Sequence, residues 1–143
     1  MAIWEDHPLG MIRETANAAL GDLTGEFAKL EGPRRLSIPP ERLLRAMLLQ
    51  SFYGIRSERQ LMDRMEIDLL FRWFVGLGTG DATWDHSTFA TNRNRLLTEA
   101  IVRKFLVAVI ADPHVKRLLA TDHFAVDGTL LMAWVSGKNV RHA

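Results

Sequence analysis

Cysteine is missing altogether from the 143 residues. That absence excludes disulfides, thiolate metal ligands and a cysteine nucleophile, and it gives no hint of an oxidising compartment. Long apolar runs are missing too: Leu43 to Leu49 is broken by Arg45, far short of the ~18 uncharged residues that a membrane span needs. The N-terminus opens with Glu5-Asp6 rather than with the basic residues of a leader, so the expectation is a soluble, cytoplasmic protein. The five histidines, His7, His86, His114, His123 and His142, include no pair at helical metal-ligand spacing, and no glycine-rich phosphate loop with its lysine is present. No complete metal or nucleotide motif can be read from the chain. Internal repeats and low-complexity tracts are also lacking.

What remains is a chain of about one domain's length whose 48% hydrophobic content suffices for a real core. The formal net charge of +1 conceals an uneven distribution. Residues 1 to 31 hold two basic and six acidic side chains, whereas residues 34 to 64 hold seven basic and three acidic ones. Local patches matter more to nucleic-acid binding than the total, and the basic part lies in the middle.

The pattern is helical over most of the length. From Pro8, the residues Ala16, Leu20, Leu23, Phe27 and Leu30 form one stripe at spacings of 3 and 4, which predicts an amphipathic helix packed on its own domain rather than a zipper. Gly32 to Pro40 breaks the pattern, and Pro40 suits the first turn of a new helix ending near Tyr53-Gly54. Ser57-Glu58-Arg59-Gln60 has the form of a capping box opening a short helix to about Met65. Leu69, Leu70, Trp73, Phe74 and Leu77 form a dense apolar face expected in the core, closed by a glycine-rich loop. Asp85-His86-Ser87-Thr88 offers N-caps to a helix carrying Asn92, Arg93, Asn94 and Arg95. Thr98 is a candidate cap for a helix from Ile101 to Ile110, which Pro113 closes. The rhythm then changes: His123 to Val126 predicts a strand, Asp127-Gly128 a turn, and Thr129 to Val135 a returning strand.

Two groups of residues are candidates for chemistry. Asp127 is a carboxylate at a strand end, where a hard cation such as Mg2+ finds a ligand in fixed geometry. Asp-Gly between apolar runs is equally a hairpin signal that needs no function, and both readings stand at this level. The second group is the helix beginning near Ser87 and Thr88, where Asn92, Arg93 and Arg95 can donate to phosphates or base edges. An ordinary solvated helix face is the competing reading. Arg34, Arg35, Arg42, Arg45, Arg56, Arg59 and Arg64 supply supplementary positive charge with the same ambiguity. Asp85-His86-Ser87 suits helix capping better than a hydrolase triad, because neighbours in sequence rarely point at one another.

The runs Ser37-Ile38-Pro39-Pro40-Glu41-Arg42-Leu43-Leu44-Arg45, Tyr53-Gly54-Ile55-Arg56-Ser57-Glu58-Arg59-Gln60-Leu61, Phe71-Arg72-Trp73-Phe74-Val75-Gly76-Leu77 and Trp84-Asp85-His86-Ser87-Thr88-Phe89, with the ending around Val126-Asp127-Gly128-Thr129, resemble the N-terminal part of bacterial DDE transposases of the insertion-sequence-five group. The resemblance implies a mainly α fold. A helical, DNA-binding domain of about six or seven helices would occupy residues 1–120, and residues 121–143 would hold the first one or two strands of a ribonuclease-H-like α/β catalytic domain. It implies binding of the element's terminal inverted repeats and, in the intact family, strand cleavage and transfer by Mg2+ ions held by three acidic residues. Asp127 matches the first of these. The second Asp and the Glu would lie on segments this chain does not contain, so the expectation is a truncated, catalytically incomplete form acting on DNA at the nucleoid. The partners it implies are DNA and, as a homo-oligomer or hetero-oligomer, a second copy of the chain or full-length transposase; the alternatives are a regulatory fragment that pairs with full-length transposase, or an inactive decayed product.

Overall fold

Pro40 sets the backbone angle of a first helical turn and lacks only an N–H that the turn would leave unpaired, and α3 accordingly runs Pro40–Phe52. Every residue from Leu43 to Phe52 except Arg45 is buried, so α3 is the central rod of the fold. The computed structural model describes residues 6–30 and 36–136; Arg34, Arg35 and the tail after Ser136 lie outside that set. Around α3 are α1 (Pro8–Asp22), α2 (Thr24–Phe27), α4 (Glu58–Ile67), α5 (Leu69–Val75), α6 (His86–Leu96), α7 (Ile101–Ile110), α8 (Pro113–Leu119) and α9 (Gly128–Ser136). α3 packs against α5, α6, α7 and α9; α4 bridges α5 and α6; and α7 lies between α1 and α9.

The expected single helix from Pro8 to Leu30 is divided. It ends at Asp22, resumes as α2, and tightens into a 3-10 turn at Ala28–Leu30. The apolar stripe is nevertheless intact in purpose: Ala16, Leu20, Leu23, Phe27 and Leu30 all enter the chain's own core. A zipper-like pairing with another chain along that stripe has no surface to use.

Caps explain most helix starts. The Ser57 hydroxyl accepts the Gln60 N–H at 3.1 Å, Asp68 the Phe71 N–H at 3.1 Å, and Asp85 the Ser87 N–H at 3.0 Å. Thr98 does not cap α7; its hydroxyl bonds back to the Arg95 carbonyl. Pro113 does not merely close α7, because Asp112 accepts the His114 and Val115 N–H groups and opens α8. On α5 the buried residues are Phe71, Arg72, Phe74 and Val75, while Leu69, expected in the core, is 55% exposed beside Ile67 at 82%. The buried Arg72 guanidinium donates to the carbonyls of Met65, Gly78 and Asp81, tying the loop that leads to α6 against the end of α4.

The largest departure concerns the C-terminal portion. No strand occurs among the described residues. Thr129 to Val135, expected as a returning strand, lies within α9, whose Leu131 and Trp134 are buried. The segment before it, 124–127, is irregular rather than paired in a sheet: the Ala125 N–H donates to Phe52 O at 3.1 Å and the Asp127 N–H to Ser51 O at 2.7 Å. These carbonyls lie in the last turn of α3, where donors within the helix run out, and Ser51 O also accepts a long bond from the Gly54 N–H at 3.4 Å. The physical reason for the helix is the Asp127 side chain, which accepts the Leu130 N–H at 3.0 Å and so caps a run whose apolar composition suits either conformation.

Candidate nucleic-acid interface

On α6, spacing separates two stripes. Phe89, Asn92 and Leu96 are buried, whereas Ser87, Thr88, Thr91 and Arg95 are exposed. The exposed stripe lines a shallow cleft of about 310 Å3 whose walls are Ser37, Ser87, Thr88, Thr91, Asn92 and Arg95. Of the five residues expected to touch DNA, the structure brings Ser87, Thr88, Asn92 and Arg95 to one cleft, and it gives two of the five a different task.

Asn92 is 4% exposed and uses its amide inward. Its Oδ1 accepts the Ile38 N–H at 3.1 Å, and its Nδ2 donates to Ser37 Oγ and to Thr88 O, both at 2.9 Å. It pins the chain entering α3 against α6, with its amide turned away from the cleft mouth. Arg93 points to the opposite side, where Nη1 is ion-paired with Glu58; Glu58 Oε2 also accepts from Gln50 Nε2 at 3.1 Å. With Nε buried, Arg93 is a tie between α6, α4 and α3.

The cleft therefore offers hydroxyls and one cation. Ser37 Oγ accepts from Asn92, which leaves its own proton to donate outward. The Ser87 hydroxyl donates to the Asp85 carboxylate. That bond, with the Ser87 N–H adding to it, holds Asp85 below the ordinary carboxylate range, so the N-terminal edge of the cleft is negative. Arg95 lies two turns further on, roughly 12 Å along the axis at 1.5 Å per residue. Donors of this kind suit phosphate oxygens, which accept from Ser, Thr and Arg side chains and fix a protein's position on a duplex. Ser37 and Thr91 were missed from the sequence. Thr91 was findable from the 87, 91, 95 spacing; Ser37 was not, since only the fold brings it across.

Asp127 is elsewhere. It sits at the far end of α3, roughly 20 Å from the Ser37 end by helix length, half-buried and engaged as the cap of α9. Among the described residues, no group of three or more His, Cys, Asp or Glu side chains is placed to hold a metal ion, and one capping carboxylate does not fit a two-metal site. No helix among the described residues is long and apolar enough to cross a membrane.

A family model described as a transposase domain (DUF772) matches residues 2–95 of the chain. The match spans α1 through α6 almost entirely and includes the whole cleft. No curated protein and no solved structure matches.

Proposed function

The chain belongs to the transposase-domain (DUF772) family, and from that membership we propose that its helical body is the DNA-recognising part of a transposase of the DDE type, of the insertion-sequence-five group, which grips the terminal inverted repeats of its element. The observation that carries the reading is the exposed stripe Ser87, Thr88, Thr91 and Arg95 facing Ser37 across one polar cleft. Phosphate contacts from the Ser37, Thr88 and Thr91 hydroxyls and Arg95 position the duplex, and the cleft floor is rigid because Asn92 bonds three groups beneath it. Asp127 becomes a Mg2+ ligand only where further carboxylates join it, so the activity proposed for the described residues is binding rather than cleavage.

Fluorescence anisotropy with a labelled duplex carrying the inverted repeat that flanks the gene, against a scrambled duplex, tests this. Binding should weaken steeply with salt and persist in EDTA. Arg95→Ala should reduce the slope of log affinity against log salt by about one, the signature of one lost phosphate contact, and Thr91→Ala should weaken binding with little change in slope. Wild-type affinity and slope in the Thr91→Ala, Arg95→Ala double variant would remove the cleft from DNA recognition.

A further inference from the structure

A second cationic site is built on the side of α3 that the α6 cleft does not use. Arg42 and Arg45 are half-buried on the one stripe of α3 left out of the core, and Arg13 reaches the same place from α1. A methyl group on Gly76 would stand 3.6 Å from Arg45 Nη1 and 3.9 Å from Arg42 Nε, so the two guanidiniums share one spot beside the C-cap of α5. Arg13 Nε donates to Trp73 O at 3.3 Å, with its guanidinium 4.8 Å from the centre of the Trp73 indole. The Gly76 N–H shares that same carbonyl at 3.2 Å.

One cation at a helix C-terminus is ordinary, because the last carbonyls and the dipole favour it. Three exceed that need. None of the three forms an ion pair with a described residue; the acidic group nearest in effect is Glu41, outweighed at Arg45 by burial and by Arg13. Arg45 donates from Nη2 to Asn17 Oδ1 at 2.5 Å, but its Nε is buried without any acceptor. Guanidiniums converging on one spot with no counter-charge among the described residues are the condition that a bound oxyanion relieves.

We propose that Arg13, Arg42 and Arg45 form a binding site for a phosphate group, separate from the α6 cleft. The phosphate is a phosphodiester of a nucleic-acid backbone or a free phosphate ion; the first source rests on the DNA reading above and the second does not.

The test compares wild type, Arg42→Gln with Arg45→Gln, and Thr91→Ala with Arg95→Ala. Each is titrated with inorganic phosphate at constant ionic strength while thermal stability is followed, and then with a labelled duplex over a salt series. Phosphate should raise the wild-type melting temperature saturably and leave the double arginine variant unmoved. With the duplex, the same variant should lose about two from the salt slope, at about 0.9 per phosphate contact. A lost phosphate response with no duplex binding by wild type supports the site with free phosphate as its ligand and defeats the DNA reading instead. A lost duplex slope without a phosphate response identifies the phosphodiester. Equal phosphate responses together with equal slopes in wild type and arginine variant overturn the proposal.

Arg42→Gln alone gives a check that a merely structural arginine would fail. Arg42 has no hydrogen-bond partner among the described residues, so in phosphate-free, low-salt buffer this variant should melt no lower than wild type. A clear drop would assign Arg42 to the fold rather than to a ligand.

Discussion

Two irregular segments lead into helices of this fold, residues 36–39 before α3 and residues 124–127 before α9, and they are fixed by opposite means. The first is held by a side chain: Asn92 of α6 accepts the Ile38 N–H and donates to Ser37, with Ile38 itself fully buried. The second is held by backbone, through the carbonyls of Ser51 and Phe52, with Phe124 packed near Phe52 and Tyr53 at ring separations of 6.3 and 5.2 Å. A side-chain clamp depends on one residue type at one position. A backbone clamp tolerates many sequences, except where the chains pass too closely for any side chain, and that place is Gly54. Its φ is +61°, and a Cβ there would meet the Ala125 carbonyl oxygen.

The most damaging change should therefore be at the backbone clamp. Gly54→Ala must adopt the left-handed region and also displace residue 125, which together should cost about 3 kcal/mol or more in chemical denaturation. Wild-type stability in this variant would show that 124–127 is not docked on α3. At the side-chain clamp, Asn92→Ala leaves the buried Ile38 N–H without an acceptor and should cost about 2 kcal/mol. Arg93→Ala should be comparable, about 2 to 3 kcal/mol, because it leaves the largely buried Glu58 carboxylate without its cation and with only the Gln50 amide beside it; it should lower the melting temperature while leaving the salt slope of DNA binding unchanged.

Acidification should act near the second segment with a smaller effect. His7 Nδ1 accepts the Leu9 N–H at 3.0 Å as the cap of α1, and its ring lies 6.3 Å from that of His123, next to Phe124. Burial chiefly, and then His123, hold His7 below its ordinary value of 6.5, with Asp68 opposing. The unfolded chain thus takes up the proton more readily than the folded one, so stability is complete above 6.5 and is lost as the pH falls through the lower folded value. His7→Asn, which can also cap, should flatten the part of the pH profile that comes from His7. Least of all, Asp127→Ala should cost about 1 kcal/mol as a lost N-cap, with Asp127→Asn close to wild type. A much larger loss for Asn than for a cap would point to a role for the charge itself.

The same contrast governs what could be read from the sequence. Helices announced by local chemistry were legible: Pro40 opens α3, Ser57 caps α4, and the residues 101–110 form α7 as their pattern predicts. α8 was not legible in the same way although Asp112-Pro113 is a good cap and first-turn pair, because a proline after an apolar helix signals a stop as readily as a start. α9 departs from its expectation because a short apolar run fits strand or helix alike, and an Asp before glycine serves equally as a turn residue, a ligand or the N-cap that Asp127 is. At the cleft, the exposed Ser87, Thr88 and Arg95 were legible from their types and spacing. The inward tasks of Asn92 and Arg93 were not, since their partners Ile38 and Glu58 stand 54 and 35 residues away.

The length of α3 has a consequence for the distance between the two ends of the fold. The cleft opens at the entry to this helix and Asp127 is anchored at its exit, roughly 20 Å away at 1.5 Å per residue. Because α3 is enclosed by α5, α6, α7 and α9, it holds that separation as an internal strut, and the cleft and Asp127 cannot approach one another without unpacking the core.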